Sequence, residues 1–435
     1  MAATTTHAEF GQLLRQSRRS RKMSQVELGG GRYSGSYISH LESGRRTPTP
    51  DVIDFLARQL GVSPLEWGVR THFDKEATLR AEASNDPAVI EELLVAERAW
   101  YDRDWTAAEA HAERAAASAQ VAGDGVRHWE ALYVVAQARF ANADFASAAR
   151  IAQEISEHQA ARRHAVARAQ SLSLASIANR AGSRLGWAIA YGARAVETAA
   201  ELPPIIRAEA VMALVSALSE AGHGRDEIDV YVQQLDEMIP LLTASHARGM
   251  VAWTIGTAAY SAGDVSEGEE RYRQAGEWLV PQRDLRLWLR FHRSLANCRL
   301  DTGQTDGVGE LLRISSTGLE IIGNAFDVVD LRQAQARLAL ATGDPARTLE
   351  IVDGLLNDPV LGNPEYNRGM SEWIRGEALC ALGRQPEARV QYAVAAHLFE
   401  EDGRLKQALE AYHRLSESCG RNLTSGVDTD GQVMM

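Results

Sequence analysis

Residues 23–44 read Met-Ser-Gln-Val-Glu-Leu-Gly-Gly-Gly-Arg-Tyr-Ser-Gly-Ser-Tyr-Ile-Ser-His-Leu-Glu-Ser-Gly, and this stretch decides how the chain begins to fold. Ser24 followed three residues later by Glu27 is a capping box, in which each residue satisfies an orphan backbone N–H of the first helical turn. Gly29, Gly30 and Gly31 stop that short helix, because glycine reaches backbone angles closed to other residues. Ser34 then caps a second helix over 35–42, ended by Ser43 and Gly44. Ile38 and Leu41, three residues apart, share one side and predict a buried face. Gly35, Ser36, Ser39 and His40 are thereby turned outward.

Working outward, Phe10 to Arg18 reads as a helix with Phe10, Leu13 and Leu14 on one side. Pro48 and Pro50 punctuate the loop before an apolar helix from Val52, and Pro64 to Trp67 closes a bundle of about five helices. Residues 1–70 hold ten Arg and Lys against six Asp and Glu, a surplus of four positive charges. The whole chain carries −12, which leaves −16 for the remaining 365 residues. A small basic head on a large acidic body suggests that the head alone meets a polyanion. The three lysines, Lys22, Lys75 and Lys406, leave nearly all positive charge to arginine, most simply a reflection of genome composition.

Four strings in the head, FGQLLRQSR, MSQVEL, SGSYISHLESGRRTP and LARQLGVSP, fall in the order seen in the lambda-repressor-like (XRE, Cro-type) helix-turn-helix family, which residues 8–67 resemble. From Leu28 to Ile38 the chain is one residue shorter than the commonest spacing of that family, and the glycines supply the freedom a tightened turn needs. The resemblance implies that the helix over 35–42 enters the major groove of DNA, with Ser36, Ser39 and His40 at base edges, Tyr37 beside them, and Ser34 at the helix start. It also implies that Gln25 holds a phosphate, that Arg45 and Arg46 clamp the backbone, and that Arg15 pairs with Glu42. The alternative is a helix bundle whose basic face is merely solvated or binds protein.

From about residue 89 the sequence is rich in Ala, Leu, Glu and Arg with regular breaks, at 103–104, 143–144, 183–184, 223–224, 263–264, 303–304, 343–344 and 383–384. The step is 40 residues throughout. Ala96, Ala136, Ser176, Ser216, Gly256, Ala296, Ala336 and Gly376 keep the same step and are all small, which lets paired helices approach closely. Mostly small residues follow twelve later: Ala108, Ala148, Ala188, Ile228, Gly268, Val308, Thr348 and Ala388. The array resembles tetratricopeptide repeats with a lengthened period, most closely at Trp373-Ile374-Arg375-Gly376 with Ala388, Tyr392 and Ala395. Units around Arg184 and Gly224 are degenerate. The expectation is an all-α protein: a five-helix head over 1–68, a linker over 69–88, a tetratricopeptide-like α-solenoid of about eight helix pairs over 89–402, a capping helix over 403–419 and a disordered tail over 420–435.

Catalytic chemistry has little to stand on. Cys298, Cys380 and Cys419 are too sparse for disulfides or zinc, the 12 histidines are scattered, and no phosphate loop, HExxH or GxSxG occurs. Glu91-Glu92, Glu269-Glu270 and Glu400-Glu401 read as solvated faces. The sequence predicts no enzyme and no cofactor. With neither a long apolar run nor a secretory signal, it predicts a cytoplasmic protein.

The head-plus-repeat plan resembles the peptide-responsive quorum-sensing regulators of Gram-positive bacteria. That likeness implies a transcription factor with operator DNA for the head, a signalling peptide or small ligand for the body, and a homodimer through the repeats. A second class of function is an interaction scaffold whose repeats recruit a partner protein without any small ligand, and a third, which the DNA-binding motif disfavours, is a phosphatase-like or anti-activator solenoid acting on a response regulator. If the first helix of each pair lines the concave side, repeats five to eight present Trp253, Thr257 and Tyr260; Arg290, Arg293, Asn297 and Leu300; Gln333, Arg337 and Leu340; and Trp373 and Glu377. Arginine grips carboxylates in a two-pronged way, amides pair with peptide backbone, and aromatics hold apolar side chains. Against this stands the reading that Arg290, Arg293 and Arg337 only pair with Asp284, Asp330 and Glu377. A further candidate region lies near Tyr133, Gln137 and Arg180.

Overall fold

The computed structural model describes residues 7–46, 48–60, 87–361 and 367–424, and no strand occurs among them. The chain divides into two compact units after Asn85. In the first, α1 (His7–Ser20), α2 (Gln25–Gly29), α3 (Gly35–Glu42) and α4 (Pro50–Leu60) surround a core of Phe10, Leu14, Leu28, Ile38, Leu41, Leu56 and Leu60. The expected fifth helix at 64–67 lies outside the described residues, as does nearly all of the expected linker.

The local signals in the head act as their chemistry requires. Ser24 Oγ accepts from the Glu27 N–H at 3.1 Å while the Glu27 carboxylate accepts from the Ser24 N–H at 2.6 Å. Gly30 ends α2 in the left-handed region at φ 53°, which is how the shortened turn closes. Ser34 Oγ accepts from the Tyr37 N–H at 3.2 Å and starts α3.

The second unit is a run of eight helix pairs. They are α5 (Pro87–Tyr101) with α6 (Trp105–Ala122), α7 (Gly125–Ala141) with α8 (Phe145–Ser156), and, after the one-turn α9 (Gln159–Arg163), α10 (Ala165–Ala181) with α11 (Leu185–Ala199). There follow α12 (Pro204–Ala221) with α13 (Arg225–Met238), α14 (Ser245–Ser261) with α15 (Val265–Trp278), and α16 (Leu285–Asp301) with α17 (Val308–Ile322). The last pairs are α18 (Ala325–Ala341) with α19 (Pro345–Asn357) and α20 (Arg368–Ala381) with α21 (Gln385–Glu401), capped by α22 (Leu405–Thr424). The array thus starts two residues before the expected 89, and the terminal helix runs five residues past the expected 419, so residues 420–424 are helical where a tail was expected. The rest of that tail lies outside the described residues.

The 40-residue step is a backbone rule. Arg103, Ala143, Ser183, Gly263, Gly303, Gly343 and Gly383 all sit in the left-handed region, and the next residue's N–H reaches back five residues to close the helix, as Asp104 does to Ala99 at 2.9 Å. Asp104, Asp144, Asp264 and Asp344 then cap the second helix of their pairs. Repeat four departs: its left-handed residue is Gly222, one place early, so Val215 fills the fully buried contact and Ser216 is only half-buried. Elsewhere the expected small residues are buried, and their size matches what they meet. A Cβ on Gly256 would lie 2.9 Å from the Tyr272 ring, and one on Gly376 would lie 2.8 Å from the Tyr392 ring. Where the facing residue is Ala112 or Ala152, the small residue is alanine.

The array also touches itself one coil later. Arg103 pairs with Asp284 at 3.3 Å, Asn324 donates to the Ala141 carbonyl at 3.0 Å, the Phe145 and Phe326 rings meet edge-on at 5.4 Å, and Arg404 reaches Glu220 at 2.5 Å. These partners lie 181–184 residues apart, about four and a half repeats.

Candidate functional site

On the head, α2 and α3 place the residues expected at DNA. Ser36 and His40 are exposed and Ser39 half-exposed on the outer side of α3, opposite buried Ile38 and Leu41. Ser34 spends its hydroxyl on the helix cap. Tyr37 stacks on Tyr33 at 5.2 Å, and the exposed Arg46 guanidinium lies 5.0 Å over the Tyr37 ring, beside exposed Arg45. Gln25 donates its amide N–H to Glu42 Oε2 at 2.9 Å, so its side chain is anchored to α3 rather than projecting alone.

The expected Arg15–Glu42 pair is corrected. Glu42 is held by Arg18, through Nε at 2.5 Å and Nη2 at 3.0 Å, while Arg15 is exposed. Helical spacing explains the difference: Phe10, Leu14 and Arg18 recur every four residues and share the buried face, whereas Arg15 lies off it. Burial works against ionised Glu42, but the hydrogen bonds from Arg18 and Gln25 outweigh it and leave its carboxyl below the usual range. The pair locks α1 to α3 and so fixes the outward face of α3.

On the body, the eight residues expected at a ligand fall into two groups. Most are committed within the fold. Tyr260 is buried and donates to Glu269 at 2.5 Å. Trp253 donates to Tyr272 at 3.1 Å and Ser294 at 3.0 Å. Gln333 is buried and donates to Ser371 at 2.9 Å and the Asn367 carbonyl at 3.1 Å. Arg290 and Arg293, with Arg286, converge on Asp327, and Arg293 also reaches Asp330 at 2.7 Å. Asn297 accepts from Arg337 at 3.4 Å, and Arg337 pairs with Asp301 at 2.5 Å. Of the pairings weighed from sequence, only Arg293–Asp330 forms; Asp284 meets Arg103, and Glu377 meets Tyr392 and Arg414.

Arg337 and Trp373 form the second group. With Leu300, Leu340, Ala341, Ile374 and Glu377 they line a cleft of about 170 Å³ across repeats six to eight. It offers one guanidinium, one carboxylate, an indole and two leucines, a mixture that suits a small amphipathic group.

Asp327 was not visible as a site in the sequence. It forms a capping box with Asn324, 3.1 Å and 3.2 Å, and gathers three arginines, Arg290 at 2.5 Å among them. Burial alone would raise its carboxyl; the arginines outweigh this and hold it far below the usual range. The signal was there as Asn-x-x-Asp before an apolar helix, a less common form of the cap.

Fold and head together define a helix-turn-helix protein with a tetratricopeptide-like helical body. Residues 9–67 match the helix-turn-helix domain family. Across 96% of this chain and 99% of the other, the fold is like that of the Rap protein solved in complex with competence and sporulation factor, with a TM-score of 0.51 at 12% identity. A more distant likeness, with a TM-score of 0.32 at 11% identity, is to PlcR of Bacillus thuringiensis solved with the peptide PapR7 and DNA, over 62% of this chain and 94% of that one. No curated protein sequence matches the chain. No described helix is long and apolar enough to cross a membrane, and no described group of three or more His, Cys, Asp or Glu could hold a metal ion.

Proposed function

We propose that the chain is a DNA-binding transcriptional regulator whose helical body senses a short peptide or small ligand and pairs two copies on a near-palindromic site. The observation that carries it is the joining, in one chain, of a helix-turn-helix head with an exposed polar α3 to a repeat body whose first helices carry the Arg337–Trp373–Glu377 cleft. The Rap likeness supports the body as a ligand-holding fold, since that protein was solved with a bound factor. An exposed apolar stripe on α22, Leu405, Leu409 and Tyr412 at helical spacing, supports pairing through the repeats.

Footprinting of the full-length protein across its own genome tests the DNA reading. Arg45→Ala or Arg46→Ala weakens binding to all sequences alike and lowers the salt slope by about one unit. Ser39→Ala or His40→Ala shifts which bases are preferred, at about 1–3 kcal/mol per lost contact. Unchanged salt dependence in both arginine variants overturns the assignment. Sedimentation of the free protein tests pairing: a monomer at micromolar concentration removes it.

A further inference from the structure

Four repeats carry arginine at one place in their first helix, eight residues before the buried packing residue: Arg168 before Ser176, Arg207 before Val215, Arg248 before Gly256 and Arg368 before Gly376. Three of these arginines are spent inside the array. Arg168 pairs with Glu157 at 3.9 Å, Arg248 donates to the Leu242 carbonyl at 2.7 Å, and Arg368 pairs with Glu372 at 3.3 Å. Arg207 is half-buried like them, yet its guanidinium has no hydrogen-bond or ion-pair partner among the described residues. Leaving a cation part-desolvated and unpaired costs free energy that a bound anion would restore.

Arg207 lines a cleft of about 380 Å³, more than twice the volume of the Arg337–Trp373 cleft and sharing no residue with it. It lies between the second helices of repeats three and four, α11 and α13, over α12. Repeat four is the unit whose turn comes one residue early, and α12 and α13 are the least closely packed pair of the array, which leaves room beside them. The cleft is floored by buried Ala199 and Val211 and half-buried Val196, with Ala200 at its exposed rim.

Two more polar groups line it, the half-buried Gln234 amide and the exposed Glu197 carboxylate, and neither side chain has a partner among the described residues. Arg207 and Glu197 thus share one cleft without pairing to each other. A concave, mostly apolar space of about 300–1,000 Å³ with a few polar groups is the make-up of a small-molecule site. One cation, one anion and one amide over an apolar floor select a small zwitterion with an apolar tail. Arginine takes a carboxylate by two parallel hydrogen bonds, and a carboxylate takes an ammonium by charge-assisted ones.

We propose that this cleft binds a free aliphatic α-amino acid, its carboxylate on Arg207 and the Gln234 amide, its ammonium on Glu197 and its side chain over Val196 and Val211. The ligand links α11 to α13 across α12, so occupancy braces the loosest pair of the array. The site is separate from the peptide or small-ligand site proposed above and does not depend on it.

The test is calorimetry and thermal melting of the full-length protein with leucine, isoleucine and valine, then with the N-acetyl and amide forms of the tightest binder. The free amino acid should bind once per chain and raise the Tm, and each blocked form should bind more weakly by roughly tenfold or more. Arg207→Gln should weaken the free amino acid to a similar extent, and Glu197→Gln should erase the preference over the N-acetyl form. Ala200→Phe, which fills the rim, should block binding with all three polar groups in place. Arg337→Ala, in the other cleft, should leave it unchanged. Since Arg207 and Glu197 hold no described partner, their variants should melt as wild type does without ligand. No binding of any of the three amino acids by wild type, equal binding of the free and N-acetyl forms, or binding that survives Arg207→Gln overturns the assignment.

Discussion

Arg404, at the start of the terminal helix, donates to Glu220 of repeat four at 2.5 Å, although 184 residues separate them. Glu220 also takes Arg180 from the neighbouring repeat at 2.9 Å. A repeat array stacks by nearest neighbours alone, but this one is also stapled across a full coil. Unfolding should therefore be more cooperative than nearest-neighbour stacking gives. Arg404→Ala should cost about 2–3 kcal/mol, below the ~3–5 kcal/mol for breaking a fully buried pair, because Glu220 keeps Arg180. Denaturant melts should show loss of stability in repeat four as well as at the C-terminus. An effect confined to α22 removes the staple.

In the head, the consequence of the corrected ion pair is a contrast between two arginines one turn apart. Arg18→Ala leaves buried Glu42 without its cation, held only by the Gln25 amide, and should destabilise the head by about 3 kcal/mol. Arg15→Ala, at an exposed position, should change stability by less than about 0.5 kcal/mol. Thermal melting followed in the head decides between them, and equal effects would refute the contrast.

Ala143 is held at φ 65°, where its Cβ crowds the following carbonyl. Ala143→Gly should relieve this and stabilise the body, by about 0.5–1 kcal/mol once the added freedom of the unfolded glycine is set against it. A lowered Tm would show that the buried methyl contributes more than the strain.

His128 and His158 form a pH-sensitive joint between repeat two and α9. The Ala160 N–H donates to His158 Nδ1 at 3.2 Å, which places the His158 proton on Nε2, 3.4 Å from His128 Nδ1. Both rings must then be neutral, and burial lowers both below the ordinary histidine value, against a weaker pull from Glu154. A depressed folded value means the unfolded chain binds protons first. This stability is complete above the unfolded value of about 6.5 and is lost as pH falls below it. Melts at pH 7.5 and 5.5 should show a drop in Tm that His158→Asn, which can keep the cap, makes smaller. An unchanged drop refutes the joint.

The sequence by itself determined the elements. Ser24, Glu27, Ser34 and the glycines of the turn are local chemistry, complete within a few residues, so the capping box and the helix starts could be read directly. The 40-residue step could be read because every repeat solves the same packing problem with a small residue and the same turn with a left-handed one. What only the tertiary structure decided was which polar groups meet. Arg18 rather than Arg15 finds Glu42, Asp327 collects three arginines, and Glu220 reaches Arg404, because partners are chosen by helix facing and coil pitch. Those depend on the sum of many small packing angles, which no short stretch of sequence encodes. Arg207 stands apart for the same reason: its lack of a partner becomes visible only when every other side chain has found its place.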